Sequence, residues 1–189
     1  MLRKLRRNRA FTLVELMIVV AIVGLLAALA IYGVRKYMTN AKTTEARNAL
    51  GQISKGAQIS WDRELTAAED LEPGAKSEES GRKLCPDAPA VPTDTNFPKG
   101  GEKYQSAEGD WQGEGNEGWE CLRFSMRGPQ YYQYEYTHEG DTTSTGFEAI
   151  ARGDLDGDDE TSEFKIVGMV REDGTLTVST SIQEKNPDE

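Results

Sequence analysis

The sequence has few of the residues on which metal sites and many enzymes depend. Its 189 residues include two cysteines and one histidine, His138. A phosphate-binding glycine loop, a nucleophile elbow and a closely spaced cysteine pair are all lacking. A single histidine at the end of a polar strand is typical of a surface residue. The sequence therefore contains no catalytic constellation, and we do not expect an enzyme.

Positive charge is scarce outside the first ten residues. The formal net charge is −10, and residues 1–10 carry five of the 22 basic residues. Without that segment, 17 basic residues face 32 acidic ones, which gives a net charge of −15. Such a composition argues against nucleic-acid binding. It fits a domain that faces solvent.

Residues 16–34 carry no charge at all, a run of 19 residues. That is about the length that crosses a ~30 Å hydrocarbon layer as a helix. More positive charge lies before the run than directly after it, so we expect a cytoplasmic N-terminus and a body on the other side. Because no small-residue cleavage site follows the run, we expect the helix to remain in the mature protein.

One carboxylate, Glu15, lies within the apolar segment 10–34. A carboxylate at the centre of a membrane costs roughly 2.5–3.5 kcal/mol on insertion scales. One interpretation is that the side chain reaches back to the membrane surface. The other is that it pairs with a cation such as an α-amino group, which is mostly protonated near neutral pH. A chain beginning at Phe11, directly after Ala10, would supply such an amine.

Residues 11–31, FTLVELMIVVAIVGLLAALAI, resemble the N-terminal segment of type IV prepilins, and the likeness covers residues 6–37. In that family a prepilin peptidase removes a short basic leader before a phenylalanine, which is then N-methylated. The resemblance implies cleavage between Ala10 and Phe11, methylation of Phe11 and a role for Glu15 in assembly. The sequence has Ala10 where the family usually has glycine, and Tyr32 followed by Gly33 where many members have proline.

The resemblance also implies a function and a location. A pilin is inserted in the inner membrane, processed by the peptidase and assembled at a membrane platform, with copies of itself and other pilins, into a surface pilus. One alternative is a pseudopilin of a type II secretion system. Another is a monomeric, membrane-tethered domain for calcium binding or adhesion. The sequence leaves open whether the subunit is major or minor, and whether a filament would serve motility, adhesion or DNA uptake.

The predicted fold class is α+β, with a long N-terminal helix packed on a C-terminal antiparallel sheet of about four to five strands, as in type IV pilins. Its predicted parts are a leader (1–10), a membrane-spanning half-helix (11–34), an amphipathic half-helix (35–65), a connection (66–118) and a sheet region (119–189). The amphipathic half is indicated by apolar residues at helical spacing. They are Ala46, Ala49, Leu50, Ile53, Ala57, Trp61 and Leu65.

The period of the pattern changes to that of strands after Trp119. The predicted strands lie at 119–126, 130–137, 146–153, 162–173 and 175–182. Asp173 and Gly174 predict a hairpin between the last two. Tyr132, Tyr134 and Tyr136 share one face of their strand. We expect their rings to cover the helix stripe or a surface between subunits.

Two further sites are predicted from residue type, a disulfide and an ion-binding loop. With the body outside the cytoplasm, Cys85 and Cys121 are expected to form a disulfide, which would close a loop of 36 residues and contribute ~3–4 kcal/mol.

The alternating Asp154, Asp156 and Asp158 resemble the first ligands of a calcium loop. Asp159 and Lys165 stand where an EF-hand has glycine and glutamate, so the loop is not an EF-hand. The ligand set could be completed by Glu160, Ser162 or Glu163. We expect no required cofactor, with Ca²⁺ as an optional ion, and a solvated turn is the other interpretation.

Overall fold

The computed structural model describes residues 11–63, 82–113, 117–139 and 146–187. Within these ranges there are two α-helices, six strands and two short 3₁₀ helices, Asp94–Asn96 and Glu108–Trp111. The helices are α1 (Leu13–Asp62) and α2 (Gly118–Leu122). The strands are β1 (Ala88–Val91), β2 (Gln133–Glu139), β3 (Gly146–Gly153), β4 (Ser162–Val170), β5 (Leu176–Val178) and β6 (Gln183–Lys185).

The chain divides into two units, and the boundary falls within α1 after Met38. The first unit is helical over its described part from Leu13, and every described residue in it is exposed. By length and composition, α1 is able to cross a membrane; its most apolar window has a mean hydropathy of 2.8. The predicted leader, residues 1–10, lies outside the described residues.

The second unit contains the core. Its sheet is entirely antiparallel, with the order β1-β2-β3-β4-β5, and β6 pairs with the same edge of β4 as β5 but farther along. The C-terminal part of α1 buries one stripe in this core. The buried apolar residues of the stripe are Ala46, Ala49, Leu50, Ile53, Ala57 and Trp61. Leu65 lies outside the described residues.

The α+β architecture is confirmed, with six strands where the sequence predicted about four to five. Two of them were not predicted: β6, and β1, which lies in the segment interpreted as a connection and pairs with β2 through Ala88 and Tyr136. Its proline, Pro89, is compatible with a strand because β1 forms an edge of the sheet. The Asp173–Gly174 hairpin is also confirmed, since β4 and β5 pair across it.

The strand predicted at 119–126 was wrong, since residues Gly118–Leu122 form α2. Short apolar runs fit a buried helix turn as well as a strand. Here the aromatic residues pack in the core and do not pair with a strand. The Trp119 ring meets the Trp111 ring edge-on, with centroids 5.1 Å apart. Arg123 ends α2 in a left-handed conformation, with φ of 53°.

A disulfide connects Cys85 and Cys121, as predicted. It links the segment before β1 to α2. The three tyrosines predicted to share a face, Tyr132, Tyr134 and Tyr136, are fully buried in the core. Burial raises the pKa of Tyr132 to about 12, and it also raises the pKa of Tyr134 and of Tyr136.

Candidate functional site

The first candidate site is the apolar surface of α1 between Leu13 and Met38. Large side chains there remain 53–75% exposed, and they cover the whole circumference of the helix. A helix that is apolar all round is stable only inside a core or a membrane. Within the described chain nothing covers this surface, so its burial requires lipid or other protein chains.

Glu15 forms a capping box with Thr12 at the start of this helix. The Thr12 amide and hydroxyl both donate to Glu15 Oε2, each at 2.9 Å, and the Glu15 amide donates to the Thr12 hydroxyl at 3.2 Å. This reciprocal arrangement satisfies backbone donors that a helix start leaves unpaired. Sequence reasoning missed it, although the signal was present in Thr-Leu-Val-Glu, the spacing of a capping box.

Phe11 and Ala10 are the residues predicted for processing. Phe11 is 87% exposed and precedes the first residue of α1 by two positions. It is therefore accessible to another protein. Ala10 lies outside the described residues, so cleavage between the two remains a prediction.

The second candidate site is the acidic loop, residues 154–161, between β3 and β4. One carboxylate oxygen from each of Asp154, Asp156 and Asp158 lies within 4.8 Å of the other two. Asp154 is 1% exposed, and the other two are exposed. The structure thus brings together the three residues that the alternating pattern singled out, and the group could hold a metal ion.

Glu160 and Ser162, the other predicted ligands, have different contacts. The Glu160 amide donates to Asp158 Oδ1 at 2.8 Å, and this glutamate is exposed. Ser162 is buried, and its hydroxyl donates to the Gly153 carbonyl at 2.9 Å, where β3 and β4 pair. Ser162 therefore closes the base of the loop, and a ligand role for either residue stays a prediction.

The acidic loop contacts the segment that contains Lys99 and Gly100. Lys99 forms an ion pair with Asp159, which raises the pKa of the lysine and lowers that of the aspartate. Gly157 has a φ of 84°, and a Cβ there would come within 3.1 Å of the Gly100 Cα. Asp159 has a φ of 72°, the conformation that an EF-hand assigns to its glycine at this place.

A third feature, Glu45, was not predicted as a site residue. Its carboxylate accepts hydrogen bonds from the Tyr131 amide at 2.8 Å and the Tyr134 hydroxyl at 3.2 Å. Desolvation by burial raises the pKa of Glu45 against these bonds. Glu45 also lines a cavity of about 290 Å³ beside Phe124 and Met126. No local sequence signal marks it, because its partners come from β2 and the residues before it.

The single histidine, His138, is hydrogen-bonded near the edge of the sheet. Its Nδ1 lies 2.6 Å from Asp87 Oδ1, and its backbone amide donates to the same oxygen at 2.8 Å. These contacts connect β2 to the segment that leads into β1. The arrangement fixes β2 against that segment.

Comparison with known proteins identifies the N-terminal segment. Residues 5–31 match the family described as the prokaryotic N-terminal methylation motif. The N-terminal segment therefore carries a match to this methylation motif. The predicted resemblance to type IV pilins is thereby confirmed for this region, and the capping box formed by Thr12 and Glu15 lies inside the matched motif.

A curated relative extends the same likeness. The chain is 57% identical over 44 residues to the type IV major pilin protein PilA of Myxococcus xanthus (strain DK1622). The aligned part covers 23% of this chain and 20% of that protein. No solved structure is significantly similar to the chain. The pilin likeness therefore rests on the N-terminal motif together with the α+β architecture.

Proposed function

We propose that this chain is a structural subunit, a pilin, of a type IV pilus. The observation that carries the proposal is the exposed apolar helix from Leu13 to Met38, most of which lies within the methylation motif matched over residues 5–31. Such a helix leaves lipid only for other apolar helices. Head-to-tail packing of identical subunits then generates an open helical filament rather than a closed ring. The role is structural and needs no cofactor.

The same motif supports a proposed route of processing and assembly. The prepilin is held in the inner membrane with its N-terminus in the cytoplasm, and prepilin peptidase cuts between Ala10 and Phe11. Phe11 becomes the methylated N-terminus. An assembly platform in the inner membrane then moves the subunit into the surface pilus beside copies of itself and other pilins. Nucleic acid is not among the expected partners, given the net charge of the chain.

Glu15 sets the register between subunits in this proposal. Its Oε2 takes both hydrogen bonds from Thr12, which leaves Oε1 available to the Phe11 amine of a neighbouring subunit. A buried charge needs a partner, because removing one member of a buried pair costs about 3–5 kcal/mol. The capping box would hold the carboxylate in place before the neighbour arrives.

The test is the yield of sheared surface filaments from cells that make Glu15→Ala or Glu15→Lys chains. We expect at least about a tenfold loss, since 1.4 kcal/mol already corresponds to a factor of ten. Mass spectrometry should show mature chains that begin with methylated Phe11. Normal filament yield from Glu15→Ala would disprove the pairing, and chains that keep Met1 and stay monomeric would disprove the pilin function.

A control separates the two roles of Glu15. Thr12→Val removes the hydroxyl of the capping box but retains the carboxylate, so we expect more filament than from Glu15→Ala. Equal loss in both variants would mean that the cap alone is needed. A pseudopilin would pass the processing test yet produce no long surface fibres, and it would co-purify with a secretion ATPase.

A further inference from the structure

The acidic loop contains a buried charge that its surroundings do not satisfy. Asp154 is 1% exposed, and its Oδ2 is buried without a hydrogen-bond partner in the described part of the chain. Its other oxygen accepts a bond of 2.6 Å from the Gly157 amide. A buried carboxylate oxygen without a partner costs free energy, which a bound cation would repay.

Neighbouring cations are already paired with other carboxylates. Lys99 contacts Asp159, and Arg152 donates to Glu135 at 2.7 Å and to Glu163 at 3.4 Å. These two cations and Asp154 all line one open cavity of about 280 Å³. Neither cation forms an ion pair with any of the three clustered aspartates among the described residues.

We propose that Asp154, Asp156 and Asp158 bind one Ca²⁺ ion. Calcium is a hard cation that takes six to eight oxygen ligands at 2.3–2.6 Å, so ligands on opposite sides of it lie about 5 Å apart. The three carboxylate oxygens, all within 4.8 Å of one another, meet this spacing. Magnesium binds at 2.0–2.1 Å in strict octahedral geometry and fits a flexible, exposed loop less well.

The remaining ligands would be water and the side chain of Glu160, which lies beside Asp158 in the loop. A site with three carboxylates and an open side belongs with extracellular calcium modules, whose dissociation constants are about 0.1–1 mM. Such a site fills in a millimolar calcium environment. Bound calcium would fix the connection between β3 and β4 against the segment containing Lys99 and Gly100, whether or not the chain forms filaments.

The first experiment measures binding of CaCl₂ to the full chain in detergent after chelation. We expect one ion per chain with a dissociation constant of about 0.1–1 mM and weaker binding of MgCl₂. Asp156→Asn and Asp158→Asn should each weaken calcium binding at least about tenfold, because each removes a charged ligand. Both residues are exposed, so neither substitution should prevent folding.

The matched control is Glu172→Gln, which removes the same charge from an exposed position in the next turn, outside the three-residue cluster. It should leave the dissociation constant within about threefold of the unchanged chain, the usual limit for a screened surface charge. If Glu172→Gln weakens binding as much as Asp156→Asn, the chain attracts counterions without a site. Absence of saturable binding, or equal binding of magnesium, would also overturn the proposal.

The second experiment compares unfolding with and without calcium, followed by tryptophan fluorescence. At twenty times the dissociation constant, calcium should raise the ratio of folded to unfolded chain about twentyfold. Asp156→Asn should be at least as stable as the unchanged chain in chelator, because repulsion is relieved, but less stable in calcium. The same ranking of the two chains in both conditions would show that the aspartate has only a structural role.

Discussion

The two parts of α1 differ in where their apolar side chains are placed. From Leu13 to Met38 the apolar residues surround the helix and are all exposed. From Thr39 to Asp62 most of them form one stripe that is buried in the core of the second unit, although Ile59 is 43% exposed. One continuous helix thus contains a segment that the chain itself stabilises and a segment that depends on other molecules. The pattern of apolar residues, rather than their number, distinguishes the two.

The largest expected effect comes from the same substitution made in each part. Leu50 is fully buried, whereas Leu26 is 57% exposed. Leu50→Ala should lower the free energy of unfolding of the second unit by about 2–5 kcal/mol, because it opens a cavity in a packed core. Leu26→Ala should leave that free energy unchanged. Denaturant unfolding of the full chain in detergent, followed by fluorescence of the buried Trp61, Trp111 and Trp119, measures both.

Either of two results would contradict this difference between the two parts of α1. Equal destabilisation by both leucine substitutions would mean that the first part of α1 is also packed within the chain. Loss of filament yield from Leu50→Ala, with normal yield from Leu26→Ala, would argue against assembly through the exposed segment.

A smaller effect is expected from substituting two glycines in the part of α1 that packs on the core. A Cβ on Gly56 would lie 2.1 Å from the Leu122 carbonyl oxygen, whereas a Cβ on Gly51 would meet nothing within 4 Å. Gly56→Ala should therefore destabilise the second unit by about 1–3 kcal/mol through overpacking. Gly51→Ala should stabilise it by up to about 1 kcal/mol, because alanine is the better helix former.

The opposite signs are the test, and the same unfolding measurement applies to both variants. Stabilisation by Gly56→Ala would show that α1 and α2 do not approach as closely as this contact requires. Destabilisation by Gly51→Ala would indicate that its exposed face is covered by another molecule under the conditions used.

The sequence was sufficient for features determined by local pattern. The course of α1, the strands β3 and β4, and the hairpin at Gly174 all follow from periodicity or turn chemistry. The strand β1 could not be predicted because its strand character comes from pairing with β2, against the preference of Pro89. Local pattern was insufficient for α2 as well, since a short buried run has no distinguishing period.

For the candidate sites, the sequence showed which residue types were present but not which of them would be buried. The alternating aspartates indicated a possible ion site, yet nothing in the sequence showed that Asp154 alone would be buried. Glu45 looks like an ordinary polar residue on the far side of a helix. Its burial depends on Tyr131 and Tyr134, which are more than 80 residues away in the sequence. Such long-range contacts are set by the tertiary fold.

The smallest effect concerns this half-buried carboxylate. Burial raises the pKa of Glu45, so the folded chain binds its proton more tightly than the unfolded chain does. The stability that the group contributes is therefore present below its usual pKa of 4.5 and is lost as the pH rises through the higher folded value. Glu45→Gln keeps an acceptor for Tyr131 and Tyr134 but removes the charge. The variant should therefore not lose stability at this position as the pH rises.

We expect Glu45→Gln to raise the free energy of unfolding at pH 7 by less than about 1 kcal/mol, since solvent partly screens the side chain. At pH 4 the difference between the variant and the unchanged chain should shrink, and unfolding curves at the two pH values give both numbers. Asp62→Asn, an exposed charge change on the same helix, should stay within about 0.5 kcal/mol at either pH. If Glu45→Gln is clearly less stable at pH 7, charge-assisted hydrogen bonds from the tyrosine residues outweigh desolvation. The charge at Glu45 would then stabilise the packing of α1 on the sheet.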